Sequence, residues 1–480
     1  MRHIKKFSLA IVVAAVIWSC DIIDEKNPDE TVRTGDLDAS RIVAMGNSLT
    51  AGIIDGGWTY DGLRHSYATQ IARQIYGDGR VGDDPMEHQF LLGKIKEPGN
   101  PVPAEIIATE QVGEYEDGTP VLRYEFTPPE NIFTSEALRA KNAEVDSNYN
   151  NLSVPGFMGL DVLQTHTTIN VLGQINPLFS IPLRDRGPQL EQALEIDPTL
   201  VILWVGNNEV LGAALSGGIT PPYPLEDVPI IPVPGFKSVL EDLLKPFEDT
   251  NTKIILGTVP DVTSIPFVTE VGVIKSDGTR GFIFNQSGEG SVWQDTLTFY
   301  GTTPEGEVRA IRGSENILLD WLFMDPLNDN LPMGLDASNP LDDELWLTDS
   351  QKAEIARAIS GYNEIIKSAG QSDNIAVADM NTFYDQIAEE GIDGFEPGLF
   401  GGLFSLDGVH PSRMGHAYIA NEFIKVLNEE FGAQIAMLDP GIYNPEGLPQ
   451  GMVGLVHGQK NPAYQQSKWL ILNSDQGRLP

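Results

Sequence analysis

A serine closing an apolar run, an aspartate three residues before a histidine, and an asparagine shortly after a glycine are the residue types of an acyl-transfer site. The serine lies in "RIVAMGNSLTAG" (41–52), where Ser48 follows Gly46 and Asn47. Far downstream, "FSLDGVHPSRMGH" (404–416) holds Asp407 and His410, followed by Pro411 and a helix start. Between them, "NLSVPG" (151–156) ends in Gly156, with Gly159 nearby, and "VGNNE" (205–209) contains Asn208. An ester carbonyl needs a nucleophile, a base, a group that fixes the base's tautomer, and donors for the developing oxyanion. Ser48, His410 and Asp407 can fill the first three roles. The Ser48 backbone N–H and the Asn208 amide can serve the fourth, and a third donor fits at Gly156, where backbone can approach closely. Position 50 is threonine, so no G-x-S-x-G elbow is present.

Each residue also has a plainer reading. Gly, Asn and Ser suit a tight turn, and an isolated "GNS" would be read as one. His410 alone would pass as a helix-start residue. The presence of partners displaces both readings. His416 falls on the following helix and reads as structural, while His65, His88, His166 and His457 have no partner pattern. "DPLNDN" (325–330) lacks EF-hand spacing and reads as a solvated acidic loop.

These residues must be held by a scaffold, and the apolar pattern describes one. "ASRIVAMGNS", "PTLVILWVGNN" (198–208), "TKIILGTVPD" (252–261) and "DNIAVADMN" (373–381) are short, rich in β-branched residues and nearly continuous in hydrophobicity. Strands buried on both faces of a parallel sheet read this way. Between them lie helical patterns: 65–77, 236–249, 347–370 with a Thr348/Gln351 capping box, and 412–432. Strands alternating with helices give an α/β doubly wound sheet, whose ligands bind beyond the carboxyl ends of the strands. Ser48 and Asn208 both lie at such ends. Two stretches, about 80–150 and 262–345, break the alternation and read as inserted hairpins and loops of the kind that shape a binding face. The apolar, proline-rich segment 211–236 reads equally as one wall of the crevice or as a self-packed surface loop. The tail after about residue 436 lacks periodicity, and no internal repeat is found.

Composition narrows the function further. Lys plus Arg number 31 against 68 Asp plus Glu, a formal charge of −37, which repels nucleic acid and anionic headgroups. With no HExxH, Cys/His cluster or Walker-type loop, neither a metal nor a nucleotide cofactor is expected. The single cysteine, Cys20, excludes an intrachain disulfide. It follows a basic start (Arg2, Lys5, Lys6) and an apolar run, Phe7 to Trp18, too short to span a bilayer comfortably. Residues 1–19 therefore read as a secretory signal. Ile17-Trp18-Ser19-Cys20 resembles a bacterial lipoprotein lipobox, although Trp18 is bulky for it. The resemblance implies cleavage before Cys20, lipidation there, and a membrane-anchored exported protein, on the outer membrane at its periplasmic or surface face. A plain signal peptide with an incidental cysteine is the alternative. Residues 20–39 then read as a lipidated acidic linker, and 40–480 as the folded domain that carries the site.

The four motifs, in this order, resemble the blocks of the SGNH (GDSL) hydrolase superfamily of lipases and esterases. "GNSLTAG" is similar to the first block, "VPG" to the glycine block, "VGNNE" to G-x-N-D and "DGVHPS" to D-x-x-H. The resemblance implies a flavodoxin-like three-layer α/β/α fold, no metal, and carboxylic ester substrates. It assigns catalysis to Ser48, Asp407 and His410, and the oxyanion hole to Ser48, Gly156 and Asn208. Asn47 and Glu209 stand where the family usually has aspartates. The expected function is a carboxylesterase or lipase-like acylhydrolase. Its alternatives are a carbohydrate O-deacetylase and a non-catalytic binding lipoprotein, and an intact Ser48, Asp407 and His410 argues against the last.

Overall fold

Four of the apolar runs form the central sheet. The computed structural model describes residues 34–95, 105–114, 120–127, 145–166, 181–218, 230–288, 291–323, 333–392 and 402–443, with positions 99, 103 and 178. The strands are β1 (Ile42–Gly46), β2 (Leu200–Trp204), β3 (Lys253–Gly257) and β4 (Ile375–Ala378). All pair in parallel, in the order β1-β2-β3-β4. Every residue of β1 and β2 is buried, which explains their unbroken hydrophobicity.

A fifth, irregular stretch flanks the outer edge of β1. The Ala44 N–H donates to Asn150 O at 2.7 Å, and the Leu152 N–H to Ala44 O at 2.9 Å. The Val154 N–H reaches Gly46 O at 3.2 Å. Counted in chain order, this stretch makes the spatial order 2-1-3-4-5, the flavodoxin-like arrangement. Chain connections diverge on either side of β1 in that order, so a crevice opens between the carboxyl ends of β1 and β2. Gly46 and Trp204 are register partners there.

Among the helices, in chain order, are α1 (Ser48–Ala51), α2 (Tyr67–Tyr76), α3 (Gly159–Gln164) and α4 (Asn208–Leu215). Then come α5 (Val233–Leu244), α6 (Pro266–Thr269), α7 (Asp349–Ala369) and α8 (Arg413–Glu430). They cover the sheet in two groups. Tyr67 of α2 and Phe423 of α8 stack at 4.8 Å, both against Trp204 of β2. Phe236 of α5 and Tyr362 of α7 meet at 4.3 Å in the other group. The expected capping box at α7 is complete, with the Gln351 N–H on Thr348 Oγ1 at 3.2 Å and the Thr348 N–H on Gln351 Oε1 at 2.8 Å. Helix α5 begins three residues earlier than its pattern suggests, because proline is tolerated in a first turn.

Both interruptions contain hairpins: Glu105–Glu114 with Pro120–Thr127, and Arg280–Gly288 with Ser291–Thr298. The second interruption reaches the carboxyl end of the sheet. There the Phe267 N–H of α6 donates to Gly408 O at 2.8 Å, and Phe267 O accepts from the Leu319 N–H at 2.9 Å. At the other end of the chain, packing starts before residue 40: Leu37 and Ala39 are buried, and the Asp36 N–H donates to Gly432 O at 3.0 Å. Those residues belong to the folded body and not to the linker. The signal, Cys20, the "DPLNDN" loop, His457 and residues 219–229 of the proline-rich segment lie outside the described residues. No helix among the described residues is long and apolar enough to cross a membrane.

Candidate active site

Strand β1 ends in a glycine because nothing larger fits. Gly46 has φ +151, and a Cβ there would lie 2.7 Å from Thr50 Oγ1 and 2.8 Å from Trp204 O. The buried Gln189 carboxamide closes the strand, accepting the Gly46 N–H at 2.9 Å and donating to Gly46 O at 3.0 Å. Asn47 then caps α1, its Oδ1 accepting the Leu49 N–H at 3.1 Å. Asparagine in place of aspartate therefore preserves the turn. Ser48 is the first residue of α1 and is 8% exposed. Among the described residues its backbone N–H has no hydrogen-bond partner.

Asp407 and His410 sit on a tight loop. The Ser405 N–H donates to His410 O at 2.8 Å, the Gly408 N–H to Ser405 O at 3.0 Å, and the Ser412 N–H to Leu403 O at 3.0 Å. Asp407 Oδ1 accepts from the Val409 N–H at 2.8 Å, the His410 N–H at 2.9 Å and the Ser405 hydroxyl at 3.1 Å. Oδ2 accepts from the Gly56 N–H at 2.6 Å and faces His410 Nδ1 at 2.7 Å. Burial pushes the Asp407 carboxyl up, but His410 and the N–H donors outweigh it and hold the group below the ordinary carboxylate range. An anionic acceptor at Nδ1 fixes the Nδ1–H tautomer and leaves the Nε2 lone pair as the basic site. No hydrogen bond joins Ser48 Oγ to the His410 ring among the described residues. Such contacts are often long without substrate.

The two remaining blocks meet across the crevice. Asn208, the first residue of α4, is half-buried and its Nδ2 donates to Phe157 O at 2.8 Å. A carboxamide nitrogen carries two hydrogens, so one is left for a ligand. Asn207 before it is buried. Gly156, adjacent to Phe157, is exposed, has φ +81 and faces open space. Its N–H has no partner among the described residues. Gly159 differs, since its N–H is occupied by Glu209 Oε1 at 2.8 Å. Of the two glycines, only Gly156 has a donor to offer. Glu209 is buried, and burial pushes its carboxyl up to about 7 against the Gly159 N–H, with Asp161 adding to the rise.

The other histidines have structural surroundings. His416 of α8 is fully buried, which drives its pKa down to about 3, and its Nδ1 accepts the Tyr67 N–H at 3.3 Å. His65 Nδ1 lies 2.8 Å from Asp61 O, His88 Nδ1 accepts the Asp84 N–H at 2.9 Å, and His166 Nδ1 lies 3.2 Å from Gln164 O. Among the described residues no group of three His, Cys, Asp or Glu side chains is placed to hold a metal ion. The sequence reading missed Asp55, Gly56, Ser405 and Gln189. The Asp55-Gly56 dipeptide was a visible signal, because Asp-Gly favours turns with two positive φ values. Gln189 carried no signal at all.

A parallel α/β sheet bearing this set of residues at its carboxyl edge defines an ester hydrolase. The family model for GDSL-like lipase/acylhydrolase matches residues 42–423, and the chain belongs to that family. No curated protein sequence matches it. Among solved structures, LAE5, an alpha/beta hydrolase enzyme from the metagenome of Lake Arreo, aligns with a TM-score of 0.34 and 12% identity, over 82% of this chain and 96% of its own. Axe2, an acetylxylan esterase from Geobacillus stearothermophilus, aligns with a TM-score of 0.34 and 11% identity, over 84% of this chain and 98% of its own. Likeness at that level adds nothing about the substrate.

Proposed function

We propose that the chain is a serine hydrolase that cleaves carboxylic esters through an acyl-enzyme, acting as a carboxylesterase or lipase-like acylhydrolase. One observation carries the reading: the 2.7 Å contact between His410 Nδ1 and an Asp407 carboxylate held ionised beside the β1–β2 crevice. A binding module has no use for a base aligned in this way. Ser48 Oγ attacks the carbonyl carbon as His410 Nε2 takes its proton. The oxyanion is met by the N–H groups of Ser48 and Gly156 and by the second Asn208 amide hydrogen. Collapse expels the alcohol, protonated by His410, and water then releases the acid by the same steps in reverse.

The test is a panel of p-nitrophenyl esters of graded acyl length, run beside acetylated oligosaccharides. Turnover of medium or long acyl esters supports the lead. Turnover confined to acetylated sugars moves the assignment to carbohydrate O-deacetylase. No turnover of either class overturns the catalytic reading. The proposal includes an exported lipoprotein form anchored through Cys20, supported by the basic start, the short apolar run and the acidic residues that follow.

A further inference from the structure

Ser48 and His410 lie on segments far apart in the chain, yet a proton must pass between them, so something must fix the distance from α1 to the Asp407 loop. Residues 53–58 run between the two. The Ile53 N–H donates to Ser48 O at 3.1 Å, and Trp58 Nε1 donates to Ala51 O at 2.9 Å, so both ends of this strap are tied to α1. Its middle is a tight turn in which the Ile54 N–H donates to Gly57 O at 3.2 Å and the Gly57 N–H to Ile54 O at 2.9 Å. Asp55 (φ +54) and Gly56 (φ +70) occupy the two central positions, both left-handed.

The tip of this turn docks on the loop that carries the acid and base. The Gly56 N–H reaches Asp407 Oδ2, the atom that also faces His410. The Asp55 N–H donates to Ser405 Oγ at 2.9 Å, and Asp55 Oδ1 accepts the Leu406 N–H at 2.8 Å. A backbone N–H can only donate. The Ser405 oxygen must therefore accept from Asp55, which turns its own hydrogen toward Asp407 Oδ1 at 3.1 Å. Each contact constrains the carboxylate that orients the imidazole.

We propose that Asp55 and Ser405 are positioning residues that hold the Asp407–His410 couple in register with Ser48. This rests on His410 being the base that serves Ser48. Neither residue touches substrate; both act through Asp407.

The experiment measures kcat and KM for p-nitrophenyl acetate in Ser405→Ala, Asp55→Gly and Asp55→Asn, with Ser48→Ala beside them. Glycine keeps the left-handed turn and removes the acceptor for Leu406, whereas asparagine tolerates the conformation and restores the acceptor. Ser405→Ala and Asp55→Gly should lower kcat by about tenfold to a hundredfold with KM unchanged, the scale of a small misplacement at a reacting centre. Asp55→Asn should recover most of the loss. If Asp55→Gly does not fold, Ser405→Ala, which deletes one atom, decides the matter alone. Wild-type kcat in Ser405→Ala, or a fall in kcat matched by a rise in KM and not rescued by asparagine, overturns the positioning role while an inactive Ser48→Ala leaves the nucleophile standing. Activity retained in Ser48→Ala overturns the reading of the site and this inference with it.

Discussion

Glu209 and Gly159 are joined by a 2.8 Å hydrogen bond that ties α4 to α3 and leaves Gly156 as the glycine with a donor to offer. The second Glu209 oxygen is buried without a hydrogen-bond partner among the described residues, so a negative charge there would be poorly stabilised. Burial raises this group from 4.5 to about 7. Its stabilising contribution is thus fully present below about pH 4.5 and is lost as pH rises through 7. At about 1.4 kcal/mol per unit, wild type should lose about 3 kcal/mol of stability from this group between pH 4 and pH 9. In Glu209→Gln that slope should vanish. Denaturant melts at several pH values check it, and parallel curves for the two proteins would refute it.

Ser48→Ala should fold like wild type, because it removes only a hydroxyl that makes no hydrogen bond among the described residues. Ester turnover should fall by about 10⁴-fold or more, the scale of losing a triad member. A fluorophosphonate should label wild type at Ser48 and leave the alanine variant unlabelled. Labelling at a different serine would sink the assignment.

Asn208→Ala should lower kcat by about 10²-fold to 10³-fold, as for other oxyanion-hole donors, with a small effect on KM. It also deletes the contact with Phe157 O, so a modest fall in melting temperature is expected. Asn208→Asp replaces the donating nitrogen by an acceptor and should be no more active than alanine. Near-normal kcat in both variants would place the oxyanion donors elsewhere.

Cys20→Ala should move the protein from the membrane fraction to the soluble fraction, since one acyl chain binds marginally and two or more bind stably. Turnover of soluble esters should not change, because the reacting groups belong to the folded body. A variant that stays with the membrane and keeps its first 19 residues would show an uncleaved anchor in place of a lipidated end.

The parallel sheet was legible in sequence because strands buried on both faces must be apolar. Strands β1 and β2 are buried throughout, β3 is apolar and buried after Lys253, and β4 is apolar with Ile375 and Val377 half-buried. The α7 start was legible for a local reason: Thr348 and Gln351 satisfy each other's backbone within one turn. The Asp407–His410 pairing was legible too, since a spacing of three on a tight loop brings carboxylate and imidazole within reach of each other. The edge stretch 150–154 was not, because three hydrogen bonds to β1 require no β-branched run. Nor were Gln189 and the docking of Asp55 on Ser405, whose partners lie 143 and 350 residues away. Sequence alone chose Gly156, with Gly159 close by. What only the tertiary structure adds is that the Gly159 N–H already serves Glu209, because that contact joins residues 50 positions apart.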